Sequence, residues 1–179
     1  MPKVGLCDEA TGELMRGSAG PEARRALMHR PEMADAIGSL NDAASRSELP
    51  PRLHEFVRYR IALLNDCARC QAYRLADTAA DVTTEGLLDS VELWRTDDRF
   101  GPLERDALDY TERFIYDHGS IDDPLIDRLR AALGDDGVID LTVCIAKYLA
   151  IGRLISVLDL DQDVSAGIVV ATGPTSGVR

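Results

Sequence analysis

With 179 residues, 45% of them apolar and only 5% aromatic, the chain has enough material for one domain with a mainly aliphatic core. Its formal charge of -11 argues against a surface built to neutralise phosphates, so neither nucleic acid nor an anionic membrane is an expected partner. The most apolar stretch, residues 141–158, is interrupted by Lys147 and Arg153 and reads as a buried or subunit-facing helix, not as a membrane span.

In chain order, residues 1–20 carry Gly5, Gly12, Gly17 and Gly20 without periodicity and are expected to form an irregular arm. They also lack the charged-then-apolar pattern of an export leader, so a cytoplasmic location is expected. Pro31 suits the first turn of a helix running through Met33, Ile37 and Leu40 to about Ala44. Pro50-Pro51 restarts the chain, and Leu53, Phe56, Val57, Ile61 and Leu64 recur at helical spacing. Asn65-Asp66 breaks that helix, and the pair is placed to cap a next one from Cys67 to roughly Ala80. Thr83 or Thr84 is expected to cap another through Leu87, Leu88, Val91 and Trp94. Pro102 opens the segment of Leu103, Ala107, Tyr110, Phe114 and Ile115, and Asp123-Pro124 opens one that ends at a left-handed Gly134. A long helix with Ile139, Val143, Ala146, Leu149 and Leu154 follows Asp135-Asp136. No run alternates at period two long enough to define a strand. The fold expected is an all-α bundle, with a helical redox domain over 21–162 and a loose tail over 163–179.

The most specific local signal is Cys67-Ala68-Arg69-Cys70 at a helix start. Two thiols at this spacing close and re-open a small disulfide, and a helix N-terminus favours the thiolate that does so. Four cysteines without an export leader fit a reducing cytosol, where such a pair is more often catalytic or metal-binding than structural. Arg69 and Arg74 would lower the thiol pKa if their guanidinium groups lie near, whereas Asp66 opposes this unless its carboxylate is occupied in capping. Glu55 is a candidate proton acceptor, but twelve residues of straight helix would hold it about 18 Å from Cys67. A bend at Asn65-Asp66, or a second subunit, must bring it in.

Glu55 followed by eleven residues and Cys67-x-x-Cys70 resembles the alkylhydroperoxidase D-like branch of the carboxymuconolactone decarboxylase family. Arg30-Pro31-Glu32, the run Arg60 to Cys67, Ala107-Leu108-Asp109-Tyr110 and Gly152-Arg153-Leu154 also look like that family. The resemblance, over roughly residues 25–160, implies an all-helical fold assembled as homo-trimers or homo-hexamers. It implies hydroperoxide reduction in which Cys70 attacks the peroxide, Cys67 resolves the sulfenic acid, and Glu55 serves a proton relay. A dithiol or small thiol from outside the protein then restores the pair. The chain departs from the pattern where the family has histidines: Arg74 stands three residues beyond Cys70, and Arg69 just before it. Arginine stays charged and shuttles no protons near neutral pH. Helix position alone would instead favour Cys67 as the attacking thiol.

Other readings stay open. The same pair would serve a disulfide reductase or redox sensor that ignores peroxides, and an oligomeric scaffold could keep the fold with slow thiols. A zinc site would need two more ligands than one CxxC supplies, and Cys7, Cys144, His29, His54 and His118 are scattered singly. Arg58, Arg60, Arg69 and Arg74 read equally well as surface partners of the many acids. Cys144, Trp94 and Tyr110 read as packing, Cys7 as a stray thiol, and Asp159, Asp161 and Asp163 as a solvated helix end. No G-x-G-x-x-G and no P-loop is present, so no nucleotide or flavin cofactor is expected, and no metal.

Overall fold

The computed structural model describes residues 1–8, 20–75, 86–163 and 169–171, with the side chains of 74, 75 and 169–171 outside that description. Helices α1 (Pro21–Leu27), α2 (Pro31–Ala44) and α3 (Pro51–Leu64) each start with a proline, whose fixed φ suits the first helical position and whose missing N–H is not needed there. A short α4 (Ala68–Ala72) leads into strand β1 (Tyr73–Leu75). Further on come α5 (Pro102–Tyr116), α6 (Asp123–Val157) and strand β2 (Val169–Ala171). Helix α6 turns at Gly134, whose φ of 73° is the left-handed conformation expected of a glycine helix end.

The helical reading holds, with one addition. Tyr73–Leu75 pairs in parallel with Val169–Ala171, a small ladder that joins the cysteine segment to the C-terminal part of the chain. The helix expected from Cys67 to Ala80 therefore stops at Ala72, and residues 76–80 lie outside the described residues. The helix expected around residues 87–94 is likewise not formed. Leu87, Leu88, Val91 and Trp94 are all buried, but on a turn followed by a single 3-10 turn at Val91–Leu93, with Gly86 at φ 63°. Thr83 and Thr84 lie outside the described residues.

Helix α3 is covered on most of its surface, and this is what positions the site. One face, Leu53, Val57 and Ile61, packs with Ala107 and Tyr110 of α5 and Leu141, Cys144 and Ile145 of α6. The next, Phe56 and Tyr59, packs with Leu87, Val91, Trp94 and Phe100, and the Trp94 Nε1–H also donates to Glu112 at 3.0 Å. A third cluster joins Ala23, Ala26, Ala34, Cys67, Ile155 and Leu160, so the first cysteine is itself part of the core. No helix among the described residues is long and apolar enough to cross a membrane.

The N-terminus of α1 corrects the reading of the acidic run. Asp161 is 8% exposed, and its carboxylate accepts the N–H groups of Glu22 at 3.0 Å and Ala23 at 2.9 Å. Glu22 returns the contact by accepting the Asp161 N–H at 2.6 Å. A Cβ on Gly20 would lie 2.3 Å from the same carboxylate, so glycine is what lets Asp161 reach the helix end. Removing such a cap costs about 1–2 kcal/mol. Asp161→Ala is expected to fall at the upper end, because two helix N–H groups lose their acceptor together. Urea unfolding of the two proteins measures it, and an unchanged midpoint would show that Asp161 does not hold α1. Cys7 is also better held than a stray thiol would be: it is half-buried, and its carbonyl accepts the Arg25 Nε–H at 2.6 Å.

Candidate functional site

Asn65 ends α3, and Asp66, at φ 47°, turns the chain so that α4 folds back toward it. Asp66 does not cap α4. The cap is Cys67, whose Sγ accepts the N–H of Cys70 at 3.2 Å. Cys67 and Cys70 are joined as a disulfide, with Cα atoms 5.2 Å apart. The two sulfurs have different surroundings: Cys67 is fully buried, whereas Cys70 is half-buried and lines a cavity of about 40 Å³.

A helix of five residues carries little of the dipole that a full helix would bring to a thiolate. Side-chain cations are the remaining source of stabilisation, and three of them, Arg58, Arg69 and Lys147, line the cavity. Arg58 is 3% exposed, which overturns its reading as a surface ion-pair partner. It donates from Nε and Nη2 to the two carboxylate oxygens of Glu55, at 2.8 and 2.5 Å, and from Nη1 to the carbonyl of Cys70 at 2.7 Å. Burial alone would lower the Arg58 pKa, but the hydrogen bonds and charge of Glu55 raise it above the usual value. Glu55 is completely buried and reaches the cysteine segment through this guanidinium. The bend at Asn65-Asp66 thus brings Glu55 and the cysteines into one network, with Arg58 between them.

Arg69 is half-buried, and its Nε has no hydrogen-bond partner among the described residues. Arg74 pairs through its backbone with Val170 in the parallel ladder, and its side chain lies outside the description.

Two residues of this region escaped the sequence reading as site components. His54 is 7% exposed with Nε2 2.8 Å from the Tyr148 hydroxyl oxygen, and burial, reinforced by the charges of Lys147 and Arg58, lowers its pKa to about 4. Lys147 is 6% exposed and lies over the Tyr148 ring, 3.8 Å from its centroid. Burial first, then the nearby Arg58 charge, lowers its pKa to about 8. The signal for both was present: a lysine inside an apolar helix and a histidine on a helix covered on most of its surface. Helix α6 is held against the cysteine turn by the Asn65 amide, which donates to the carbonyls of Tyr148 and Leu149 at 3.3 and 3.2 Å. A Cβ on Gly152 would come within 2.7 Å of that amide and 3.5 Å of the Cys70 sulfur, so glycine sets how closely α6 passes.

The helical fold matches solved structures described as alkylhydroperoxidase-like or peroxidase-related. One, from Ralstonia eutropha, is described as an alkylhydroperoxidase AhpD core and uncharacterized peroxidase-related protein. It aligns with a TM-score of 0.68 at 15% identity, over 91% of this chain and 93% of its own. A protein of unknown function from Agrobacterium tumefaciens, described as a candidate antioxidant defence protein AhpD, gives 0.62 at 21% identity, over 77% and 95%. An uncharacterized peroxidase-related protein from Silicibacter gives 0.58 at 18% identity, over 76% and 73%. Residues 31–113, which contain Glu55, Cys67 and Cys70, match the model of the carboxymuconolactone decarboxylase family, the family the motif resembles. No curated protein matches the sequence.

Proposed function

We propose that this chain is a thiol-dependent hydroperoxide reductase that cycles Cys67 and Cys70 between dithiol and disulfide. The observation that carries the reading is the unequal exposure of the two sulfurs. Cys70 faces the cavity and Cys67 sits in the core, which supports Cys70 as the attacking thiolate and Cys67 as the resolving thiol. The Cys70 thiolate takes the terminal oxygen of ROOH, becoming a sulfenic acid and releasing RO⁻, which is protonated to ROH. The Cys67 thiol then displaces water from the sulfenic acid and closes the disulfide. An external dithiol, or two thiols, supplies two electrons and two protons to re-open it.

Glu55 acts through Arg58 in this scheme: the buried ion pair holds the guanidinium on the Cys70 carbonyl and so keeps a positive charge beside the reacting turn. Arg69 adds a second cation on the cavity wall, and Arg74 a third beyond it in sequence. The peroxidase-related descriptions of the structural neighbours support the reaction class. The cycle requires a reducing compartment, the cytoplasm. Assembly as homo-trimers or homo-hexamers is part of the proposal, supported by Ile139, Val143 and Val157 standing exposed along α6.

The test is consumption of an organic hydroperoxide by pre-reduced protein. Wild type is expected to consume it at a rate at least about 100-fold above free thiol, with Cys70→Ser inactive. Cys67→Ser is expected to stop after one turnover with a sulfenic acid on Cys70. Consumption no faster than by free thiol, with rapid exchange against a small disulfide, would transfer the site to the disulfide-reductase reading. Slow reaction with both would leave a scaffold.

A further inference from the structure

We infer that Lys147 is the proton carrier of the Cys70 site: a buried amine that becomes the counter-ion of the Cys70 thiolate on reduction and protonates the departing alkoxide on oxidation. The inference rests on the reading of Cys67 and Cys70 as a cycling pair. Three observations carry it.

First, Lys147 is nine-tenths buried, yet its ammonium has no carboxylate and no hydrogen-bond acceptor among the described residues. The ring of Tyr148 lies beside it, and the Cys144 thiol is close enough to act on its charge. A buried charge is normally paired, and an unpaired one costs several kcal/mol. Second, Lys147 and Cys70 line the same small cavity, with α6 held against the cysteine turn by Asn65 and allowed close by Gly152. Third, the groups around it leave the position open. From α3, Glu55 is saturated by Arg58, and His54, held neutral near pH 7 by burial, faces Tyr148. On α6 itself, Asp140 already accepts from Ser47 and from the backbone N–H of Glu48, and the Cys144 thiol is pushed up to about 11 by burial and Asp140. From the cysteine segment come Arg69, which is cationic, and Tyr73, whose hydroxyl burial keeps protonated. No anion among these is free to pair with Lys147 until the disulfide opens.

Lysine 147 is drawn to about 8 by burial and by Arg58, so near neutral pH the amine exchanges protons readily. On reduction by a dithiol, two electrons and two protons enter. One proton stays on Cys67 as the thiol. The other passes to solvent, because Lys147 already carries its proton near pH 7, and the Cys70 thiolate now compensates that charge. On reaction with ROOH the thiolate sulfur gains the terminal oxygen, RO⁻ leaves, and Lys147 gives it the proton. Condensation of the sulfenic acid with the Cys67 thiol releases water and restores the disulfide, and Lys147, with a pKa of about 8, takes its proton back from solvent. Lys147, from another helix, is thus a group able to titrate beside Cys70 where Arg58 and Arg69 are not.

The experiment compares wild type, Lys147→Met and Lys147→Arg. Thiolate absorbance at 240 nm gives the Cys70 pKa in a Cys67→Ser background, and stopped-flow mixing gives the rate with hydroperoxide across pH. Lys147→Met is expected to raise the Cys70 pKa by about one unit or more, to slow peroxide consumption at pH 7 by about tenfold or more, and to melt at a higher temperature than wild type. Lys147→Arg is expected to leave the Cys70 pKa near its wild-type value but lose the limb of the pH–rate profile that reports a group near pH 8, because arginine stays protonated. An unchanged Cys70 pKa and pH–rate profile in Lys147→Met would overturn the inference. If wild type consumed no peroxide, the peroxidase reading would fall, and the thiolate titration would still decide whether Lys147 is the counter-ion.

Discussion

Glu55→Ala is expected to destabilise the protein by about 3–5 kcal/mol, the range measured when one member of a buried ion pair is removed. Arg58 makes two hydrogen bonds to Glu55 and sits at 3% exposure, so the truncation leaves a guanidinium in the core with no carboxylate to face. Its remaining partners are the Cys70 carbonyl and the rings of Tyr59 and Tyr73, whose centroids lie 5.8 and 5.7 Å away. Those contacts do not replace a formal negative charge. Against a typical total stability of about 5–15 kcal/mol, the loss moves the unfolding midpoint far enough to be read without ambiguity.

The double variant Glu55→Leu/Arg58→Met should recover most of the loss, because the cost lies in the orphaned charge more than in the missing contact. A thermodynamic cycle over the two singles and the double gives the coupling directly. Function separates from stability in Glu55→Gln, which keeps an acceptor for Arg58 but no charge. Under the proposed cycle, folded Glu55→Gln consumes peroxide more slowly than wild type, since Arg58 is held less firmly on the cysteine turn. A Glu55→Ala protein as stable as wild type would show that the pair is not the buried anchor the geometry describes.

How much of this was readable beforehand depends on whether the determinant was local. The limits of α3 were, because Pro51 fixes its first turn and Asn65-Asp66 its last, and so was the left-handed end at Gly134. The spacing from Glu55 to Cys67 was readable too, and a bend was needed for it to mean anything. The short α4 was not: what ends it at Tyr73 is pairing with Val169–Ala171, almost a hundred residues away, and no local pattern reports that. Arg58 was misread for a related reason. An arginine three residues after a glutamate looks like a solvated helix pair, and only the covering of α3 by α5, α6 and the 87–100 segment turns that pair inward. Asp161 was assigned to solvent because the helix it caps begins 140 residues earlier.

The second large effect is a loss of stability as pH falls from about 6.5 to about 4, and it is assigned to His54. The ring is buried and its folded pKa is about 4, against an ordinary 6.5, with burial the first cause and the cations Lys147 and Arg58 adding to it. A group whose folded pKa is depressed binds its proton more readily in the unfolded chain. Above the unfolded value of 6.5 both states are neutral and His54 contributes no pH dependence. As pH falls through the window, the unfolded state takes up the proton first and gains free energy. The full penalty, about 3 kcal/mol, is reached once pH drops below the folded value. Carboxylates titrate in part of the same window, so the effect is isolated by difference. His54→Gln keeps a polar group for the Tyr148 hydroxyl and removes the titration. Urea unfolding of both proteins at intervals between pH 7.5 and 4 should show wild type losing about 3 kcal/mol relative to the variant, with the change centred between the two pKa values. A flat difference would mean that the imidazole protonates in the folded state as easily as in water. The burial of His54 beside Tyr148 of α6 would then be wrong.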